Sequence, residues 1–96
     1  MARTAATDYV AECFWPGVSP GDLTALDERA TASAAEASRD GAEVRYLGSL
    51  LMRDDEVLLC RFFGVEEAVR RVVERAAIPF ERILEVSGSP WNVSSG

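Results

Sequence analysis

Glu12 and Glu85 are the side chains of this chain best suited to do chemistry. Each sits inside a run of strand-forming apolar residues, and burial there would raise a carboxylate pKa until the group works as a general acid or base near neutral pH. Arg45 and Arg61 occupy similar runs, VRYLGSLLM and LLCRFF, and could stabilise an enolate or hold a bound carboxylate. Ser49 adds a hydroxyl, and Phe14 and Phe63 add aromatic surface. The competing reading is structural: Glu12 pairs with Arg61, and Glu85 with Arg45 or with a partner subunit, since ion-pair networks perturb pKa values too.

Other chemistries are poorly provided for. The chain has no histidine, so neither a Ser-His-Asp nor a Cys-His pair is available. It has no phosphate-cradling glycine loop and no dinucleotide fingerprint, and no cofactor is expected. Cys13 and Cys60 each lie within an apolar strand, where a free cysteine behaves as a small core residue. A disulfide between them does not suit a reducing compartment. With carboxylates and two thiols as the available ligands, a nickel or zinc site lacks the imidazole that a borderline metal wants, and no metal ligand is assigned.

Charge and length narrow the field further. The net charge of −6, with no lysine among the ten basic residues, argues against nucleic acid, which needs clustered cations. No apolar run approaches the ~20 residues of a membrane span, and the N-terminus lacks the layout of a signal peptide. A soluble cytoplasmic protein is expected, so the acceptor-like Asn92-Val93-Ser94 is read as accidental. At 96 residues the chain is one domain, thin enough to gain from a partner that covers part of it.

The elements that would position these groups are well marked. Residues 1–7 are small and polar and read as a loose terminus. The run from Asp8 to Trp15 is a first strand, stopped by Pro16-Gly17. Ser19-Pro20-Gly21-Asp22 is a helix entry, with serine at the N-cap, proline at the first helical position and an acid at the third. Leu23, Leu26, Ala30, Ala34 and Ala37 then form one narrow apolar stripe, and Gly41 sits where a left-handed residue is wanted.

A second strand spans Glu43 to Met52, and Arg53 to Glu56 turns it back into a third from Val57 to Phe63. Gly64 is read as the cap of a second helix, which has Glu66 and Glu67 in its first turn, Val65, Val69, Val72 and Ala76 on one stripe, and an end imposed by Pro79. Arg82 to Val86 is a last strand. The order β-α-β-β-α-β is that of the ferredoxin-like split βαβ motif, an α+β fold with a four-stranded antiparallel sheet and two helices on one face. The domain covers residues 8–87 and a loop-like tail 88–96. In that tail Trp91 is expected to lie against something.

Strand alternation assigns the purer apolar sets to the helix side. The other face then carries Val10, Glu12, Phe14, Arg45, Leu47, Ser49, Leu51, Leu59, Arg61, Phe63, Ile83 and Glu85. It is too apolar for water and too charged for a plain core, so it is expected to meet a partner, most simply a second copy, sheet against sheet. Such a homodimer would enclose a chamber for a small apolar or carboxylate-bearing ligand, bound by Glu12, Phe14, Arg45, Ser49, Arg61, Phe63 and Glu85, with Glu12 and Glu85 as the catalytic candidates.

From Tyr9 to Val86 the chain also resembles a small bacterial domain family of unknown function whose described member is a nickel-binding protein. The likeness rests on Glu12 in the first strand, the helix entry from Pro16 to Leu23, Cys60 in the third strand, and the ending from Ala76 to Val86. It implies a ferredoxin-like fold that pairs into a dimeric α+β barrel. Members of that family commonly carry histidine in the second strand and second helix, where this chain has Gly48 and Val72. The resemblance therefore implies the shape more than the metal. Three functions follow as expectations: a non-catalytic dimer that binds a small molecule, a cofactor-free isomerase or cyclase of secondary metabolism, and nickel or other metal binding. The second rests on fold analogy with other dimeric α+β barrels.

Overall fold

A computed structural model describes residues 5–87, and the expectations for the 88–96 tail and Trp91 lie outside them. The chain runs β1 (Thr7–Phe14), α1 (Pro20–Arg39), β2 (Val44–Met52), β3 (Val57–Gly64), α2 (Glu66–Arg75) and β4 (Arg82–Val86). The strands form one sheet in the order β2-β3-β1-β4, with every neighbouring pair antiparallel. This is the ferredoxin-like α+β fold, with both helices packed on one face of the sheet.

Local chemistry explains each boundary. At the start of α1 the Ser19 hydroxyl accepts from the Asp22 amide at 3.0 Å, and the Asp22 carboxylate accepts from the Ser19 amide at 3.0 Å, so two orphan donors are satisfied at once. The exit is a Schellman turn. The Gly41 amide donates to Ser38 O and the Ala42 amide to Ala37 O, both at 3.0 Å, with Gly41 at φ +97.

Helix α2 closes the same way, the Ala77 amide donating to Glu74 O and the Ile78 amide to Val73 O, both at 3.1 Å. Here the left-handed position is held by alanine, Ala77 at φ +57. The helix thus stops four residues before Pro79, with this turn already holding its exposed carbonyls. Arg29 of α1 reaches across and donates from Nε to Ala76 O at 2.7 Å, tying the two helices together.

The helix stripes bury as their spacing predicts. Leu26, Ala30, Ala34 and Ala37 of α1 are buried, as are Ala68, Val69, Val72 and Val73 of α2. They meet Tyr9, Ala11 and Cys13 of β1, Val44 of β2, and Leu58, Cys60 and Phe62 of β3. Alanine on α1 lets that helix lie close over β2, where a larger side chain would hold it off.

Two details of the sheet depart from expectation. Gly64 does not cap α2; it is the last residue of β3, and Val65 is the N-cap. A Cβ on Gly64 would stand 2.5 Å from Glu43 O and 2.8 Å from Val44 Cα, so glycine is required for the close approach of β2. The second departure is a bulge in β2: Tyr46 pairs with Phe62, but Gly48 pairs with Arg61, leaving Leu47 as the extra residue. Gly48 stands at φ +114, a conformation open to glycine and strained for other residues.

Candidate functional site: the helix-free face of the sheet

Residues paired across neighbouring strands share a face, so the pairing sorts the helix-free side into rows. At one end Met52, Val57 and Phe14 stand side by side. Next come Leu50, Leu59, Glu12 and Arg82, and then Gly48, Arg61, Val10 and Leu84. The far end carries Arg45, Phe63, Asp8 and Val86. Phe14, Leu50 and Met52 are 53, 47 and 38% exposed, the large apolar side chains most open to water among the described residues. Val10, between Arg61 and Leu84, is only 4% exposed.

Of the residues expected to bind a ligand, Glu12, Phe14, Arg45, Arg61 and Phe63 do lie on this face. They are spread along it. Phe14 and the Arg45–Phe63 row stand at opposite ends, six residues apart on β1 or about 20 Å at ~3.3 Å per residue. Glu12 and Arg61 occupy adjacent rows near the middle. The Glu12 carboxylate, however, takes Arg82 as its partner, with Nε donating to Oε1 at 2.5 Å, and not Arg61 as expected. That hydrogen bond, with the Glu12 charge behind it, holds the Arg82 guanidinium above its ordinary value.

Ser49 and Glu85 are on the other side, which corrects the expected lining. The bulge shifts β2 by one residue, so Ser49 comes opposite Cys60 and Leu51 opposite Leu58, under α1. On β4, Glu85 pairs with Tyr9 and Ile83 with Ala11, which places both on the helix side and turns Arg82, Leu84 and Val86 to the helix-free one. Ile83 packs against the core. Glu85 is exposed at its edge, and its charge, after burial itself, helps raise the Tyr9 phenol above its usual value. The two proposed catalytic carboxylates therefore stand on opposite sides of the sheet and cannot act on one substrate together.

A polar cluster absent from the sequence reading lies on the helix side. Asp27 of α1 accepts hydrogen bonds on one carboxylate oxygen from the Tyr46 hydroxyl and, at 3.0 Å, from Ser49 Oγ. Burial first, and then the hydrogen bond to Asp27, pushes the Tyr46 phenol far above its ordinary value. Its ring packs on Phe62 at 5.1 Å between centroids. The available signal was an acid next to Leu26 on the buried stripe, one turn before Ala30, where an apolar residue would be the default.

Cys13 and Cys60 are fully buried on neighbouring strands beneath the helices, as core residues. The hydrogen bond to Cys13 and burial together push the Cys60 thiol up, away from the thiolate that reacts or ligates. Among the described residues no group of three or more Cys, Asp or Glu side chains could hold a metal ion, and no helix is long and apolar enough to cross a membrane.

Fold and site together define a small α+β protein of ferredoxin-like architecture with one face of its sheet uncovered by its own helices. No protein-family model matches the chain, and no curated protein matches it. Among solved structures it is similar to the crystal structure of SCO4226 from Streptomyces coelicolor A3(2), with a TM-score of 0.71 and 21% identity over 88% of this chain and all of that one. At that identity the likeness shows the shared fold.

Proposed function

We propose that this chain is a cytoplasmic homodimer of the dimeric α+β barrel type, in which two helix-free faces close on each other and hold a small molecule between them. Kinship with the nickel-binding-protein-like family belongs to this reading as a likeness of shape, without tight metal binding. The observation that carries it is the exposure of Phe14, Leu50 and Met52 together at one end of that face. Large apolar side chains scattered singly need no explanation, but a contiguous set, here joined by Val57 and Leu59, marks a surface that is covered in use. A second copy is the simplest cover, because most soluble oligomers are two-fold homodimers with self-complementary interfaces. Sedimentation velocity over a range of concentrations tests it: a species of twice the chain mass at micromolar protein is expected, and a monomer throughout would sink the proposal.

A second reading follows from the place of Glu12 midway along the same face, beside apolar Leu59 and anchored by Arg82. As a general base in the closed chamber it would make the dimer a cofactor-free isomerase or cyclase, with Glu12 acting without Glu85. Glu12→Gln separates the two readings. Loss of turnover with binding retained indicates the enzyme; unchanged function leaves Glu12 as one half of a structural ion pair. The third alternative, metal, has its soft donors in the buried pair Cys13 and Cys60.

A further inference from the structure

Strand β2 is an edge of the sheet, and the pairing fixes which of its backbone groups look outward. The Val65 amide donates to Glu43 O at 3.1 Å, so those two opposed residues form a hydrogen-bonded pair. Alternation then turns the amide and carbonyl of Val44 and Tyr46 away from β3, and Ser38 Oγ accordingly reaches Val44 O from outside the ladder, donating at 2.9 Å. Beyond the bulge, Gly48, Leu50 and Met52 oppose the β3 residues whose groups point to β2. Ser49 and Leu51 therefore present theirs to the outer edge. From Gly48 to Met52 that edge carries no charge and no proline, and Leu50 and Met52 are exposed. The other edge strand, β4, is short and guarded by exposed Arg82 and Glu85.

Beside the unguarded stretch stands the flank of α1 that faces away from α2, opposite the flank from which Arg29 and Glu36 reach that helix. Thr24, Asp27 and Thr31 lie along it, on a hollow of about 410 Å³ that Glu28 also lines. Asp27 takes both of its hydrogen bonds on Oδ1, and its second oxygen accepts none among the described residues. Asp54, Asp55 and Glu56 follow in the turn after β2, so acids outnumber Arg53 around this edge.

We infer that the Gly48–Met52 edge docks an extended basic segment of another protein as an antiparallel fifth strand, its cationic side chains toward Asp27 and its apolar ones beside Leu50 and Met52. Partner residues opposite Ser49 and Leu51 exchange backbone hydrogen bonds and share the helix side, where the open oxygen of Asp27 meets a cation. Those opposite Leu50 and Met52 share the helix-free side with apolar neighbours. A second copy is poorly suited to this edge through its own β2. Because α1 packs on β2, pairing two such edges about 4.8 Å apart would crowd two α1 helices that need roughly 8–10 Å between axes, and would set acid against acid. The inference does not depend on the proposed dimer, since sheet-on-sheet packing covers a face and leaves the edges at its rim.

The probe is the end-blocked peptide Val-Lys-Val-Lys-Val, titrated into the full chain and followed by NMR, beside Val-Glu-Val-Glu-Val and two N-methylated forms of the first. The lysine peptide should bind at least ten-fold more tightly than the glutamate one. The Ser49 and Leu51 amides should gain protection from hydrogen exchange, while those of Leu50 and Met52, already bonded to β3, should not change. N-methyl groups on the two lysines should abolish binding, because those amides enter the ladder; on the valines they should be tolerated. Asp27→Asn should narrow the preference for lysine. Equal binding of the two peptides, or a preference that Asp27→Asn leaves untouched, overturns the charge assignment. Binding that survives methylation of the lysines overturns strand addition, and loss on methylating the valines overturns the antiparallel register. No binding at millimolar peptide removes the docking site, as do Ser49 and Leu51 amides already protected before any peptide is added. Should Asp27→Asn fail to fold, the four peptides on the native chain decide alone.

Discussion

Asp27 gathers two hydroxyl donors onto one carboxylate oxygen beneath α1, and burial together with that hydrogen bond makes the fold resist ionisation of Tyr46. A folded-state pKa raised above the unfolded value of 10.0 means that the phenol stays protonated in the native chain while the unfolded chain ionises. Stability from this group is complete below about pH 10 and falls as the pH rises beyond it. Urea unfolding followed from about pH 8 to about pH 11 should show that decline. Tyr46→Phe should reduce it, leaving the shares due to Cys60 and Tyr9, whose thiol and phenol are raised as well. At neutral pH the same substitution should cost about 1–2 kcal/mol, because Asp27 loses one of its two donors. A Tyr46→Phe variant with the wild-type slope would show that the cluster plays no part in the pH dependence.

At the scale of elements, the two helices end in the same hydrogen-bonded turn with different residues at the left-handed position. Gly41 suits it; Ala77 does not. A left-handed alanine costs roughly 1–2 kcal/mol, and glycine's greater freedom in the unfolded chain takes back about 0.5–1 kcal/mol of the difference. Ala77→Gly is therefore expected to stabilise the protein by about 0.5–1 kcal/mol in denaturant unfolding, and no gain would mean that the strain at φ +57 is already relieved. The β2 bulge offers the opposite case. Gly48→Ala has room for its methyl but not the backbone freedom for φ +114, so a loss of about 1–3 kcal/mol is expected. Relaxing that strain by restoring an even pairing would turn Ser49 away from Asp27, and the amide resonances of Ser49 and Tyr46 should report it. A neutral Gly48→Ala would refute the account of the bulge as glycine-dependent.

For the whole molecule, what matters is what the uncovered side of the sheet does in solution. If two copies meet through it, Phe14 and Leu50 are at the interface, and a carboxylate on either must be desolvated against apolar surface when the dimer forms. Phe14→Glu and Leu50→Glu should each weaken the dimer by at least ten-fold in sedimentation equilibrium while leaving the circular dichroism of the chain unchanged, since neither side chain belongs to the helix-side core. An undiminished dimer in both variants would place the contact elsewhere, with the edge strands β2 and β4 next in line.

The sequence by itself settled the element order, both apolar helix stripes and the helix-side faces of β1 and β3, because those patterns repeat over enough residues for one period to prevail. It also carried the glycine that ends α1, since a left-handed residue just past a long stripe has few other readings. Three things were decided only by tertiary structure. The bulge at Leu47 reset the phase of β2, so Ser49 and Leu51 moved under α1; a one-residue slip reverses every later side chain and leaves no mark in composition. The five residues of β4, apolar on both sides, could not announce their own face, and pairing with β1 placed Glu85 with Tyr9. Asp27 became the centre of a cluster because the packing of α1 on β2 brings Tyr46 and Ser49 to it, a meeting of residues about twenty apart in the chain. Periodicity fixes what repeats within a segment, whereas the offset of one segment against another is settled when they touch.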